Sequence, residues 1–103
     1  MEQDAPIRVM VVDDHPMWRD AVARDLTEAG YDVVATAADG AQALRVTAAA
    51  RPDVVVLDLQ LPDMSGVEVT RGLRQDRYSA QFIQVAARAG DGKRWLRFGG
   101  LVM

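Results

Sequence analysis

The chain contains no cysteine, which removes disulfides, zinc–thiolate centres and thiol nucleophiles from consideration. Lysine occurs once, at Lys93, and histidine once, at His15. Acidic residues outnumber basic ones by 15 to 12, for a net charge of −3. A basic stripe able to neutralise a nucleic-acid backbone is therefore missing, and no DNA binding by this chain alone is expected. No apolar run approaches the roughly 20 residues that cross a bilayer. The opening, Met1 to Arg8, is polar and lacks a signal-peptide pattern. The expected location is the cytoplasm, away from membranes.

What is present is enough apolar sequence for one core. Half of the 103 residues are hydrophobic, and a chain of this length is expected to form one domain, 1–103. Ile7 to Val12 is a short β-branched run without alternation, the pattern of a strand covered on both faces. It ends in Asp13-Asp14. Pro16 stands where a first helical turn tolerates it, and Met17, Ala21, Val22, Leu26 and Ala29 follow at spacings that give one apolar helix face. Gly30 is placed to stop that helix. Asp32 to Ala37 reads as a second strand. Asp39 caps a second helix, Ala41 to Ala50, with Ala43, Leu44 and Thr47 on adjacent turns. Arg51-Pro52-Asp53 breaks it. Val54 to Leu57 is the most strand-like stretch and also ends in an acid, Asp58. A loop bearing Pro62 and Gly66 leads to a third helix, Val67 to Gln75, with Val69 and Leu73 inward. Phe82 to Val85 is a weaker fourth strand. The order β-α-β-α-β-α-β with short links predicts an α/β domain with a parallel sheet, helices on both faces and right-handed crossovers. The last stretch, with four glycines and Arg94, Trp95, Arg97 and Phe98 in no clear period, predicts no element.

In an open parallel sheet, ligands bind outside the carboxyl ends of the strands. Here two apolar strands end in acid. Asp13, Asp14 and Asp58 converging on one rim repel one another unless a hard cation with oxygen ligands neutralises them. The pattern fits an acidic Mg²⁺ site beside a carboxylate able to attack phosphorus. Taken singly, each aspartate is better explained as a helix cap or loop residue; two acidic strand ends in one domain bring the two readings level.

Three segments, quoted in order, resemble receiver domains of two-component response regulators, in the subfamily with a LuxR/NarL-type output. They are Val11-Val12-Asp13-Asp14-His15-Pro16 with Trp18-Arg19, then Asp39-Gly40-Ala41-Gln42-Ala43-Leu44, then Asp58-Leu59-Gln60-Leu61-Pro62-Asp63-Met64-Ser65-Gly66-Val67-Glu68. The likeness covers about residues 7–87 and leaves 88–103 as an atypical tail. It implies a flavodoxin-like, doubly wound (CheY-like) sheet, here lacking the fifth strand and last helix. It also implies a phospho-acceptor that is not an enzyme. Asp58 takes the phosphoryl group from a sensor histidine kinase. Asp14 ligates Mg²⁺ directly, Asp13 holds it through water, and the backbone carbonyl of Gln60 completes the protein ligands. His15 is expected to be a loop residue, Trp18 to pack on its helix, and Arg71, Arg74 and Arg77 to form a solvated face.

Two departures from the family pattern stand out. The position where receivers carry a switch Ser or Thr is Ala86, followed by Ala87. The single lysine, Lys93, is too close to the fourth strand for the family's lysine. These departures favour the alternative of a degenerate pseudo-receiver that binds partners constitutively; the retained Asp13, Asp14 and Asp58 favour phosphoryl acceptance. A phosphatase of the haloacid-dehalogenase kind normally needs Asp-x-Asp, and Asp58 is followed by Leu59-Gln60. A missing fifth strand predicts an open sheet edge, low stability or a homodimer; the absent hydroxyl and lysine predict weak coupling of phosphorylation to a switch. Permitted G/C-ending codons for Asp91 to Met103, read from the third base of each codon, spell R-Q-A-V-A-A-V-R-R-A-G-H. That is a helix-like stretch, which fits a reading-frame slip; a natural short variant is the alternative, and the coding DNA would decide between them.

Overall fold

The computed structural model describes residues 5–58, 60–76, 84–88 and 95–98. Their order is β1 (Arg8–Val12), α1 (Pro16–Glu28), β2 (Asp32–Ala37), α2 (Gly40–Ala50), β3 (Val54–Asp58), α3 (Gly66–Asp76), β4 (Gln84–Arg88) and β5 (Trp95–Phe98). The sheet runs β2-β1-β3-β4-β5. The first three pairings are parallel and the last antiparallel. This is the expected CheY-like, flavodoxin-like α/β architecture.

The uninterrupted apolar strands are explained by burial on both faces. Side chains alternate along a strand. Met10 and Val12 of β1, with Val55 and Leu57 of β3, join Ala43, Val69 and Leu73 of α2 and α3 in one core cluster. Val9, Val11 and Val56 face the other way, with Val22 of α1. The inward positions predicted for α2 and α3 hold: Ala43, Thr47, Val69 and Leu73 are all fully buried, with Leu44 packed beside them.

Local chemistry sets the element ends. Pro16 opens α1. At its other end Gly30, at φ +102°, lets Tyr31 N–H reach the Leu26 carbonyl and Gly30 N–H reach that of Thr27, a left-handed exit that glycine adopts without steric cost. Asp39 caps α2 by accepting from Gln42 N–H at 2.7 Å. Ser65 and Glu68 bond each other's backbone N–H groups at the start of α3, a reciprocal capping box.

Two expectations need correction. Met17 is not inward: it is 74% exposed, and Val22 is the buried residue of α1. Trp18 is 46% exposed and still has an interaction partner. The fold also has a fifth strand. Trp95–Phe98 pairs antiparallel with β4, Val85 opposite Phe98 and Arg88 opposite Trp95. Six residues join β4 to β5, and a link that short returns the chain antiparallel, since a parallel neighbour needs a crossover of a dozen or more. The β4 edge expected to lie open is therefore occupied. β4 itself extends to Arg88, in register with Asp58. Phe82, Ile83, Lys93 and Arg77 lie outside the described residues, as do 89–94 and 99–103, where the expected lack of a last helix would be decided.

Candidate functional site

The strand order sets the site. The chain passes from β1 outward to β2, then returns to place β3 on the other side of β1. The carboxyl ends of β1 and β3 thus flank the point where winding reverses, the position where open α/β sheets bind ligands. β1 delivers Asp13 and Asp14 there, and β3 delivers Asp58.

Asp13, Asp14 and Asp58 each present a carboxylate oxygen, and these oxygens all lie within 4.8 Å of one another. Asp13 is buried, Asp58 half-buried and Asp14 exposed. Backbone groups orient two of them. Asp13 Oδ1 accepts from His15 N–H at 2.9 Å, and Asp58 Oδ1 accepts from Gln60 N–H at 3.2 Å. The Asp13 backbone is pinned on both sides: its N–H donates to the Ala37 carbonyl at 3.0 Å, and its carbonyl accepts from Arg19 Nη1 at 2.8 Å. The Asp13 side chain thus shapes the turn into α1 while its carboxylate stands in the acidic cluster. His15 opens α1 with no side-chain cap.

The donor set suits a hard divalent cation. All three side chains offer oxygen, and an octahedral Mg²⁺ shell with oxygens at about 2.1 Å spans about 4.2 Å across. Carboxylates gathered this closely can share one such ion, directly or through a bound water. Gln60 is exposed, with its N–H on the Asp58 carboxylate and its backbone paired with Ser65. Ala86 stands in register with Val56, two residues short of Asp58, whose own register partner is Arg88. Arg71 is exposed.

One residue of the loop was not anticipated as a contact. Asp63 Oδ1 accepts from Gly40 N–H at 2.8 Å and Oδ2 from Ala41 N–H at 2.9 Å. These two donors hold its carboxyl below the usual range. Arg19 belongs to the first of the receiver-like segments, and its hold on the Asp13 carbonyl is a contact that linear spacing does not announce.

A parallel α/β sheet with an acidic cluster at the β1/β3 reversal defines the class: a CheY-like receiver of the two-component type. The chain belongs to the response regulator receiver domain family, whose profile matches residues 9–99. The nitrate/nitrite response regulator NarP of Escherichia coli K12 is 42% identical over 84 residues, 81% of this chain and 39% of that protein. The transcriptional regulatory protein KdpE of Mycobacterium tuberculosis is 54% identical over 66 residues, 64% of this chain and 29% of that protein. The chain thus spans well under half the length of these relatives. Among solved structures, the signal receiver domain of NarL from M. tuberculosis superposes with a TM-score of 0.71 at 35% identity, over 82% of this chain and 68% of that one.

The expectation that the chain is not an enzyme does not stand. A protein-glutamate methylesterase/protein-glutamine glutaminase of Anaeromyxobacter dehalogenans is 48% identical over 64 residues, 61% of this chain and 19% of that protein. Receiver sequence occurs within enzymes too, and a fold assigns a domain without fixing the activity of the protein that carries it. No helix among the described residues is long and apolar enough to cross a membrane.

Proposed function

We propose that this chain is a phospho-accepting receiver domain, in which Asp58 takes a phosphoryl group from a phosphohistidine on a partner kinase with Mg²⁺ bound at Asp13 and Asp14. The observation that carries the reading is the gathering of three carboxylates at the switch point of the sheet.

An Asp58 oxygen attacks phosphorus in line with the P–N bond of the donor. The P–O bond of an acyl phosphate forms, the P–N bond breaks, and the leaving imidazole retains the electron pair and takes a proton. Phosphoryl transfer asks a protein mainly for positioning and charge stabilisation. The Gln60 N–H orients the Asp58 carboxylate, while His15 N–H and Arg19 hold the side chain and backbone of Asp13. Asp13, Asp14, Asp58 and the Gln60 carbonyl would hold the cation, which supplies neutralisation of the acidic cluster and of the phosphoryl oxygens. The domain comprises residues 1–103 and meets its kinase in the cytoplasm. With a net charge of −3, it does not bind DNA by itself.

Incubation with acetyl phosphate and Mg²⁺ followed by intact-mass measurement tests this. One phosphoryl adduct is expected, absent in Asp58→Asn and absent with excess chelator. An adduct that persists in Asp58→Asn, or none in the wild type, sinks the reading.

A further inference from the structure

The β3–α3 loop that carries Gln60 is tied to α2 by a single carboxylate. Both oxygens of Asp63 are engaged, one by Gly40 N–H and one by Ala41 N–H. These are first-turn donors of α2, which have no partner within the helix and favour a negative charge. Yet α2 already has its own cap in Asp39, 2.7 Å from Gln42 N–H. A second carboxylate arriving from 23 residues away therefore does more for the loop than for the helix.

The packing beside it agrees. Met64 lies against the main core cluster, and a β-carbon at Gly40 would collide with Met64 Cγ and Sδ. The Met64 side chain of the loop thus packs directly on the Gly40 backbone at the helix start, with no room for a β-carbon. Within the loop, Gln60 pairs with Ser65, and Gln60 N–H reaches Asp58 Oδ1. On the other side of the site, Asp13 N–H bonds the Ala37 carbonyl at the end of β2, three residues before α2 begins. A closed circuit results: Asp13, Ala37, the start of α2, Asp63, Gln60, Asp58. It links the two acidic strand ends by a route separate from the β1–β3 ladder.

We propose that Asp63 is a positioning residue for the acidic site, fixing through this circuit where Gln60 and Asp58 stand relative to Asp13 and Asp14. The inference rests on the reading of the site as a metal-assisted phospho-acceptor. Removing an outer-shell partner of a metal site typically costs ten- to a hundredfold in affinity or activity.

The test uses the full chain, as wild type, Asp63→Ala, Asp63→Asn and Gly40→Ala. Mg²⁺ is titrated while the amide resonances of residues 13, 14, 58 and 60 are followed. Phosphoryl uptake from acetyl phosphate is weighed at each Mg²⁺ concentration. In Asp63→Ala the Mg²⁺ half-point is expected to rise about tenfold, with uptake at saturating Mg²⁺ within about twofold of wild type. Asp63→Asn keeps one acceptor oxygen without the charge and should fall between the two. Gly40→Ala displaces the loop through Met64 and should raise the half-point with Asp63 intact. A half-point unmoved in Asp63→Ala, even with a lower melting temperature, reduces Asp63 to a structural role and overturns the proposal. Cation-dependent shifts without any adduct in the wild type would end the phospho-acceptor reading, while the Mg²⁺ half-points still decide on Asp63. Neither shifts nor adduct in the wild type would remove both.

Discussion

A carboxylate that accepts from the N–H groups of a helix start ties part of the fold's stability to pH. Asp63 is exposed, and the Gly40 and Ala41 N–H groups, in that order, lower its pKa from the ordinary 3.8. A group whose folded-state pKa is depressed adds stability above its unfolded value and loses it as pH falls through the folded one. The melting-temperature difference between wild type and Asp63→Asn should therefore be constant from neutral pH down to that ordinary value and close below it. A difference that persists unchanged into strong acid would show that charge is irrelevant to the contact. Asp39 offers a calibrated neighbour. Its replacement by alanine removes a side-chain cap and should cost about 1 kcal/mol in denaturant unfolding. At Gly30, where φ is +102°, alanine meets no neighbour and should still cost about 1 kcal/mol through backbone strain alone.

Among the helices, burial is uneven, and so is the expected cost of truncation. Leu73 and Val69 of α3 are wholly buried, whereas α1 buries only Val22 among its described residues. Leu73→Ala should cost about 2–5 kcal/mol, and Met17→Ala less than about 0.5 kcal/mol, both measured by equilibrium unfolding. The same contrast explains what was legible in the sequence. Val69 and Leu73 could be placed because their spacing falls in the middle of a helix that lies across the sheet. Met17 had the right spacing yet is 74% exposed, because periodicity picks out a helix face without saying how much of that face another element covers. The strand-end aspartates were legible because each terminates an apolar run. The Asp63 contact was not, since nothing in linear spacing relates position 63 to positions 40 and 41. β5 escaped notice because Trp95 to Phe98 is short and its partner is fixed only by the turn-back from β4.

For the molecule as a whole, the proposed modification of Asp58 is expected to change little beyond its own rim. A ligand shifts a conformational equilibrium only through contacts that differ between the two states. In the family pattern such a contact comes from a hydroxyl at the position of Ala86, and alanine offers none. Register reinforces the point: Ala86 stands beside Val56, while Arg88 is abreast of Asp58. β4 is in turn held on its outer side by β5, so a rearrangement there would have to disturb two ladders without a hydrogen bond to drive it. Beryllofluoride with Mg²⁺, a mimic of the phosphoryl group, should shift the amide resonances of residues 13, 14, 58 and 60 and leave those of residues 84–88 nearly unchanged. Ala86→Ser restores a hydroxyl to the strand. If the missing hydroxyl is what uncouples β4, that variant should gain shifts along 84–88 that the wild type lacks. Large shifts on β4 in the wild type would mean that the coupling runs through backbone contacts at the rim instead.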